Sequence, residues 1–380
     1  MKSSNISVNK VNLRARELFF SAMAFSLFVT SLQAKEEAEV RAEAAQKVLW
    51  DDFWDARERL FQNSSEHDKN DKQFHYWWQA QALDVLIDQY ERSGKVEDLE
   101  KAQNLANGLV HRNGGLTNDY RDDMLWYALA LLRLHDHAPD IEIRRAINTL
   151  WNSVKEGWND KHGGGIGWRV QQPDYKALPA NAPAVILTAR LYKRFGRKED
   201  LAWALKIQKW MDDTLIDPES GFVWDGINRQ GRGRVDRHWR FTYNQGTVIG
   251  ANLALFEATE DKKWLGKAHR TADAAMNHWA KASDGMITET GRKDGALFKG
   301  IFVRYLGELI ADDPKASTPY RELLQKNADS LWNGADGEKS ALFDNDWENA
   351  KPVKSTELSA QLSAVMLFEM VAHSAKSDGN

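Results

Sequence analysis

The chain has 380 residues, of which 42% are hydrophobic, so it is long enough for one large domain or two ordinary ones. A formal net charge of −4 offers no basic field to nucleic acid or anionic lipid, and the lack of cysteine excludes disulfide bonds and thiolate catalysis. The 16 tryptophans are unusual for a globular protein. They must pack in a core or present flat faces to a ligand, and sugars fit such faces best.

The N-terminal segment resembles an export signal. Basic residues at positions 2, 10, 14 and 16 precede an apolar run at 18–29, and Ala34 follows at a plausible cleavage point. The run is too short to span a bilayer comfortably, so we expect residues 1–34 to be a cleaved signal peptide rather than an uncleaved anchor. The mature protein is then secreted or periplasmic, without stable membrane insertion. We expect residues 35–380 to form one domain, because no Pro/Ser-rich linker divides them.

Amphipathic segments with helical periodicity fill the rest of the chain. Helices are predicted near 36–60, 76–92, 95–111, 122–136, 140–157, 181–195, 199–214, 243–258, 262–281, 295–310, 318–332 and 357–373. Every second helix, beginning with 76–92, is apolar on most sides and should be buried, whereas the others keep a polar face. Six helical hairpins of this kind predict an all-α fold, an (α/α)6 barrel with an inner and an outer ring.

The loops of this predicted barrel are asymmetric. Those that follow an inner helix are short, whereas those that precede one are mostly longer and rich in Trp, Tyr, Gly, Asn and Asp. In an alternating bundle all the long loops meet at one end, and function gathers on loops that a rigid scaffold holds. The functional site should therefore lie at the N-terminal ends of the inner helices.

Two adjacent carboxylates, Asp122 and Asp123, stand at this end, where an inner helix begins. One of them can cap the helix, the pair can bind calcium together with Asn118 and Asp119, or one can form an ion pair with Arg121. The calcium interpretation is weak because the spacing departs from the EF-hand pattern. Alternatively, the two acids hydrolyse a glycosidic bond, which needs one carboxylic acid and one carboxylate. Their mutual repulsion would then separate their pKa values.

A resemblance to the family-76 glycoside hydrolases, the endo-α-1,6-mannanase family, favours the last interpretation. It extends from about His75 to Phe368, and the segments that carry it are HYWWQAQALD (75–84), YRDDMLWYALALLR (120–133), GGGIGW (163–168), ALPANAPAVILTARLY (177–192), FTYNQGTVIGA (241–251) and LFKGIFVRYL (297–306). Tyr127 departs from the family's more frequent tryptophan. The resemblance implies an (α/α)6 fold and an enzyme that hydrolyses α-1,6-mannosyl linkages of mannan with retention, Asp122 being the nucleophile and Asp123 the acid/base.

Further side chains at the loop-rich end are candidates for substrate binding. Aromatic rings can stack on mannose, and amides, a phenol or a lysine can hold hydroxyl groups, although core packing and helix capping are alternatives for each. The candidates are Trp77, Trp78, Trp126, Tyr127, Trp168, Asn181, Tyr243, Asn244, Gln245 and Lys299, and Trp224 and Trp239 are further stacking candidates. Lys299 and Arg304 lie on an inner helix and need a partner or the cavity.

Several other functions are disfavoured by missing motifs. HGGGIGW (162–168) lacks the G-x-S-x-G turn of an esterase and the third glycine of a dinucleotide site, and no His-rich motif indicates a catalytic metal, so no cofactor is predicted. Two alternatives to hydrolysis remain, a cell-wall mannan transglycosylase and a non-catalytic mannan-binding protein. The expected partner in every case is α-mannan or a mannooligosaccharide, not nucleic acid.

Overall fold

A computed structural model describes residues 33–67 and 71–377. Within these residues the chain forms twelve α-helices. They are α1 (33–53), α2 (Tyr76–Ser93), α3 (Val96–Asn113), α4 (Arg121–His137), α5 (Ile141–Lys155), α6 (Ala182–Phe195), α7 (Lys198–Thr214), α8 (Thr242–Thr259), α9 (Lys262–Trp279), α10 (Asp294–Asp312), α11 (Thr318–Gly334) and α12 (Leu358–Ser377). The predicted signal peptide lies outside the described residues except for positions 33 and 34, and it stays a prediction.

The helices form two concentric rings. The even-numbered helices contact one another in chain order, and α12 contacts α2 to close the inner ring. The odd-numbered helices α3, α5, α7 and α9 each pack on the inner helix before them, and α11 packs on α12 and α10. Helix α1 joins the outer ring, since the amide of Gln46 donates to the carbonyl of Val85 on α2 at 2.9 Å and to Glu369 on α12 at 3.0 Å. The predicted (α/α)6 barrel is confirmed.

Helix α8 is buried and packs closely against its neighbour in the inner ring. Every residue from Thr242 to Leu255 is buried. Two glycines on this helix allow close approach to α10: a Cβ at Gly246 would lie 2.7 Å from Cα of Phe302, and one at Gly250 would lie 2.3 Å from the ring of Tyr305. Because backbone atoms cannot move aside easily, only glycine fits at position 246.

The inner ring also contains a buried ion cluster. Both Nη atoms of Arg304 on α10 donate to the carboxylate of Asp88 on α2, at 2.9 and 2.5 Å, and Nε lies 3.1 Å from Asp84. Arg133 on α4 donates to the same two aspartates. These contacts supply the partner that the sequence analysis required for Arg304.

One predicted helix is too long. The segment predicted as helix 36–60 is helical only to residue 53, after which Trp54–Asp55 (β1) and Leu60–Phe61 (β2) form a small antiparallel hairpin. The amide of Gln79 holds this hairpin against α2, accepting from the N–H of Phe61 at 3.0 Å and donating to its carbonyl at 2.8 Å. Stacking of Trp54 on Trp50, with ring centroids 4.4 Å apart, supports the reversal of the chain.

The long loops contain little regular structure. Lys176–Ala177 (β3) pairs antiparallel with Gly226–Ile227 (β4), which ties together the loops before α6 and α8. None of the helices in residues 33–67 and 71–377 combines the length and the apolar character that crossing a membrane requires.

Candidate active site

A cleft of about 690 Å³ opens at the N-terminal ends of the inner helices. The side chains around it are mainly aromatic and acidic, which is the chemistry of a sugar-binding groove. They are Phe74, His75, Tyr76, Trp77, Asn113, Asn118, Asp119, Tyr120, Asp122, Asp123, Trp126, Trp168, Tyr175, Ala177, Pro179, Asp225, Arg229, Trp239, Phe241, Tyr243, Asp294 and Phe298.

Asp122 and Asp123 lie together in the first turn of α4, and both line the cleft. The N-cap residue of this helix is Tyr120, and no side chain forms a capping hydrogen bond. Neither aspartate is therefore the N-cap residue of α4. No group of three or more acidic or histidine side chains within the described residues has an arrangement that could hold a metal ion.

Asp122 is held by a tryptophan. Its Oδ2 accepts a hydrogen bond from Nε1 of Trp168 at 2.9 Å, whereas its Oδ1 is buried and has no well-formed hydrogen bond within the described residues. Burial raises the pKa of Asp122 to about 6, although the Trp168 N–H and the backbone N–H groups of the helix start lower it. The carboxylate is thus ionised at neutral pH.

Asp123 has a less favourable environment for a charge. Its burial and the neighbouring charge of Asp122 raise its pKa well above the usual range, which the hydrogen bond from Nδ2 of Asn118 at 3.2 Å only partly opposes. Asp122 therefore releases its proton at lower pH than Asp123 does. The order of the two pKa values favours a carboxylate at Asp122 beside a carboxylic acid at Asp123, the two states that glycosidic cleavage uses.

Asp294, at the start of α10, is a third acid in the cleft. Its Oδ1 accepts hydrogen bonds from the indole N–H groups of Trp77 and Trp78, at 3.0 and 2.9 Å. Its charge contributes to the raised pKa of both Asp122 and Asp123. Asp294 was not among the residues predicted from the sequence, although it lies at the start of an inner helix, as the Asp pair does.

A fourth acid, Asp225, organises another part of the cleft. It is buried and accepts hydrogen bonds from the hydroxyl of Tyr175 at 2.8 Å, the amide of Asn244 at 3.0 Å and the hydroxyl of Tyr243 at 3.3 Å. It also forms an ion pair with Arg229. Asp225 was not predicted from the sequence either, because no pattern marks an acid whose partners come from distant segments.

The structure brings half of the predicted site residues together. Asp122, Asp123, Trp77, Trp126, Trp168 and Tyr243 line one cleft, as does Trp239. Tyr243 on α8 stacks on Phe298 on α10 with ring centroids 4.1 Å apart, and the two rings form an aromatic side of the cleft. Contact of these side chains with the substrate stays a prediction.

The other predicted residues lie behind the cleft rather than in its lining, namely Trp78, Tyr127, Asn181, Asn244, Gln245 and Lys299. Their polar atoms have internal hydrogen-bond partners, except for Oδ1 of Asn244. Gln245 pairs with the backbone of Val223 through both its amide atoms, at 2.9 and 2.8 Å. The hydroxyl of Tyr127 donates to the carbonyl of Ala106 at 3.0 Å. These side chains position loops and helices around the site.

Asn181 and Lys299 also form internal hydrogen bonds behind the cleft. The amide of Asn181 binds the N–H and the carbonyl of Ile166 and the carbonyl of Ala177, all within 3.0 Å, so it joins the GGGIGW loop to the start of α6. The ammonium of Lys299 donates to the carbonyl of Asn345 at 2.5 Å and lies 4.2 Å from the ring centroid of Trp347. Burial lowers the pKa of Lys299 to about 7.

Arg121 precedes the Asp pair but does not pair with it. Its Nη1 donates to the carbonyl of Gly167 at 3.1 Å, and its side chain packs so closely on Gly157 that a Cβ there would lie 2.1 Å from Nε. It forms no ion pair within the described residues. The guanidinium therefore holds the loop that carries Trp168, which in turn binds Asp122.

A double ring of helices with paired acids in an aromatic cleft is the architecture of an (α/α)6-barrel glycoside hydrolase. Comparison with known proteins agrees with this class. The sequence signature of Glycosyl hydrolase family 76 matches residues 37–378, and the chain belongs to that family.

Individual relatives support the same family. Mannan endo-1,6-alpha-mannosidase DCW1 of Candida glabrata is 26% identical over 312 residues, which cover 72% of this chain and 68% of the relative. The α-1,6-mannanase GH76A of Salegentibacter sp. HEL1_6, solved as an inactive variant with two consecutive aspartates replaced by alanine and in complex with alpha-1,6-mannotetrose, is 38% identical. That structure has a TM-score of 0.82 and covers 88% of this chain and 98% of its own. The Lin0763 protein of Listeria innocua is 35% identical with a TM-score of 0.82, over 88% of this chain and 97% of its own.

Proposed function

We propose that this protein is an exported, retaining endo-α-1,6-mannanase. The observation that carries the proposal is the Asp122–Asp123 pair in the cleft, whose two environments favour a carboxylate beside a carboxylic acid. The names of its relatives supply the linkage, since the Candida relative is a mannan endo-1,6-alpha-mannosidase and the Salegentibacter relative an α-1,6-mannanase. In the latter, the inactive variant lacks two consecutive aspartates, the same kind of pair.

The reaction follows from the two protonation states. The Asp122 carboxylate attacks the anomeric carbon of a mannosyl residue while Asp123 gives its proton to the glycosidic oxygen, so that the glycosidic bond breaks and a mannosyl ester of Asp122 forms. The ionised Asp123 then takes a proton from water, whose oxygen attacks the same carbon and releases Asp122. Two inversions leave the anomeric configuration unchanged.

Two neighbouring groups support these roles. The hydrogen bond from Trp168 stabilises the ionised form of Asp122 and fixes its orientation, as a nucleophile requires. The charge of Asp294 disfavours ionisation of Asp123, which helps this acid to keep its proton until the leaving oxygen takes it. Among the aromatic side chains that line the cleft, Trp77 and Trp239 are exposed enough to stack on mannose rings, whereas Trp126 is largely buried.

Digestion of linear α-1,6-mannan tests the proposal. We expect the wild-type protein to release mannooligosaccharides whose new reducing ends are α-anomers in proton NMR spectra recorded before mutarotation. Asp122→Asn should abolish turnover, and Asp123→Asn should lower kcat by about 10²- to 10⁴-fold. Asp213→Asn, on the outer helix α7, is the matched control and should retain activity. Equal product traces from wild type and Asp122→Asn would refute the proposal.

The same digestion separates the two alternatives. With an added mannooligosaccharide acceptor, a transglycosylase would give products longer than the acceptor, whereas the proposed hydrolase gives mainly shorter ones. A non-catalytic binding protein would show heat of binding to mannan in calorimetry and no new reducing ends.

Export rests on the predicted signal peptide alone. If the full chain is expressed in a bacterium, the protein recovered from the periplasm or medium should begin at Lys35, which intact-mass measurement reads directly. Recovery of an uncleaved chain in the membrane fraction would instead favour the anchor.

A further inference from the structure

A basic loop, defined as residues 228–240, borders the cleft. Its sequence, NRQGRGRVDRHWR, contains five arginines in a chain whose formal net charge is −4. The loop connects β4 to the segment before α8 and therefore belongs to the loop-rich end of the barrel. The proposed cleavage of mannan makes no use of this charge.

Hydrogen bonds within the basic loop fix its shape. A bridge joins Ile227 to Val235, and the N–H of Asn228 donates to the carbonyl of Arg234 at 2.9 Å. The side chain of Asn228 accepts from the N–H of Gly233 at 2.8 Å, and Gly233 has a φ of 64°, where glycine is favoured. The arginines are thus displayed on an ordered turn.

Most of this charge has no internal partner. Arg229 is paired with Asp225 and lies 3.8 Å from Asp236, the acid of the loop itself. Arg232, Arg234, Arg237 and Arg240 are exposed and form no ion pair within the described residues. Asp217 is a nearby acid outside the loop, and the positive charge of Arg237 contributes to lowering its pKa. Asp217 and Asp273, which line a depression together with Arg240, are too few to neutralise four guanidinium groups.

The basic loop is continuous with the cleft. Arg229 and Trp239 line the cleft, and Trp239 is 45% exposed with the guanidinium of Arg229 4.3 Å from its ring centroid. Beyond Trp239, Arg237 and Arg240 lie over the ring of Trp224, at 5.5 and 5.8 Å. Arg240 and Trp224 also line a second depression of about 460 Å³. A polysaccharide that stacks on Trp239 would pass beside the unpaired arginines.

We propose that the basic loop binds oxyanion substituents, phosphate or sulfate, on the polysaccharide beside the cleft, so that the preferred substrate is an anionic mannan. The fork of a guanidinium group matches such oxyanions, and charge complementarity at the rim of a site increases both affinity and specificity. A short loop on a chain of negative net charge is a poor surface for a nucleic acid or a bilayer, whereas a substituent on a cleft-bound chain is delivered directly to it. This inference rests on the proposed mannanase function.

Steady-state kinetics on matched substrates test the inference. The substrates are neutral α-1,6-mannan and the same mannan after chemical phosphorylation or sulfation. We expect wild-type kcat/KM to be about tenfold higher on an anionic mannan than on the neutral one at low salt, with a gain that vanishes at about 1 M NaCl. The phosphorylated and sulfated preparations show which oxyanion is preferred.

Variants then locate the effect. Arg234→Gln, Arg237→Gln and Arg240→Gln combined should remove most of the gain, whereas the corresponding lysine replacements should keep part of it. The matched control combines Lys198→Gln, Lys262→Gln and Lys315→Gln, which removes the same charge from exposed positions at the opposite end of the barrel and should keep the gain.

The outcomes separate the two proposals. If no mannan is cleaved, the proposed function fails and this inference fails with it. Only this inference is overturned if the wild type cleaves neutral and anionic mannans equally well. The same holds if the control variant with Lys198, Lys262 and Lys315 replaced by Gln loses the preference for anionic mannan, as the triple Arg→Gln variant does. Binding of anionic phospholipid vesicles without any preference for anionic mannan would assign the basic loop to a membrane surface, which also overturns it.

Discussion

The hydrogen bond from Trp168 to Asp122 gives the sharpest mechanistic prediction. Trp168→Phe removes the indole N–H that donates to Oδ2 of Asp122 at 2.9 Å. A phenylalanine ring can keep the edge contacts with Tyr120 and Tyr175, whose ring centroids lie 5.3 and 5.7 Å from that of Trp168. The substitution therefore removes a donor from the carboxylate while an aromatic ring remains in the cleft.

The magnitude follows from the type of hydrogen bond. A hydrogen bond to a charged group contributes about 1.5–3 kcal/mol, and one pKa unit corresponds to about 1.4 kcal/mol. The pKa of Asp122, about 6 in the wild type, should then rise by about 1–2 units. Because catalysis needs ionised Asp122, the acidic limb of the pH profile should move to higher pH. At pH 6 the ionised fraction should fall about fivefold for a one-unit shift.

The assay is kcat/KM on α-1,6-mannan between about pH 4 and pH 9, since this parameter reports the pKa values of the free enzyme. Trp158→Phe is the control, because the N–H of Trp158 is buried but donates to no partner within the described residues. It should leave the acidic limb in place. An unchanged or lower acidic pKa in Trp168→Phe would refute the role assigned to this hydrogen bond.

Three further predictions follow from the same structure. Asp294→Asn removes a negative charge that raises the pKa of Asp122 and Asp123, so both limbs of the pH profile should move to lower pH; a shift of either limb to higher pH would contradict this. The pKa of the Asp122 carboxyl rises from 3.8 to about 6 on folding, so this group favours the folded state below pH 3.8 and loses that contribution as the pH passes 6. Asp122→Asn removes the charge and should therefore raise the free energy of unfolding by about 1–3 kcal/mol at pH 7. Thermal unfolding at pH 7 and pH 3.5 measures this, and an equal gain at both pH values would speak against it. Arg304→Met leaves the Asp88 carboxylate without its bidentate partner and should lower the free energy of unfolding in urea by about 3 kcal/mol, more than Arg304→Lys does. A loss below about 1 kcal/mol would show that Arg133 alone satisfies the cluster.

The fold was predictable because its signal is repeated. Six apolar helices alternate with six amphipathic ones, and the loop composition shows which end carries the site. The error at residues 54–60 arose because Trp54 and Leu60 fit a helical pattern as well as they fit a hairpin. Contacts with Gln79 and Trp50 decide the outcome, and they are invisible to local periodicity.

The candidate site was predictable only in part. Residues at the start of an inner helix, such as Asp122, Asp123 and Tyr243, line the cleft as their position indicated. Gln245, two residues beyond Tyr243, faces the backbone of Val223 instead, because successive residues of a helix point in directions about 100° apart. Asp225 lies in a long loop, where neither periodicity nor spacing fixes the direction of a side chain.

Covalent trapping of the glycosyl-enzyme intermediate shows directly which aspartate is the nucleophile. An activated fluorinated α-1,6-mannobioside slows hydrolysis of the mannosyl ester, so that the labelled enzyme can be digested and its peptides sequenced by mass spectrometry. We expect one mannosyl-type label, on Asp122, and none in Asp122→Asn. A label on Asp123, or turnover of the reagent with inversion and without any label, would contradict it.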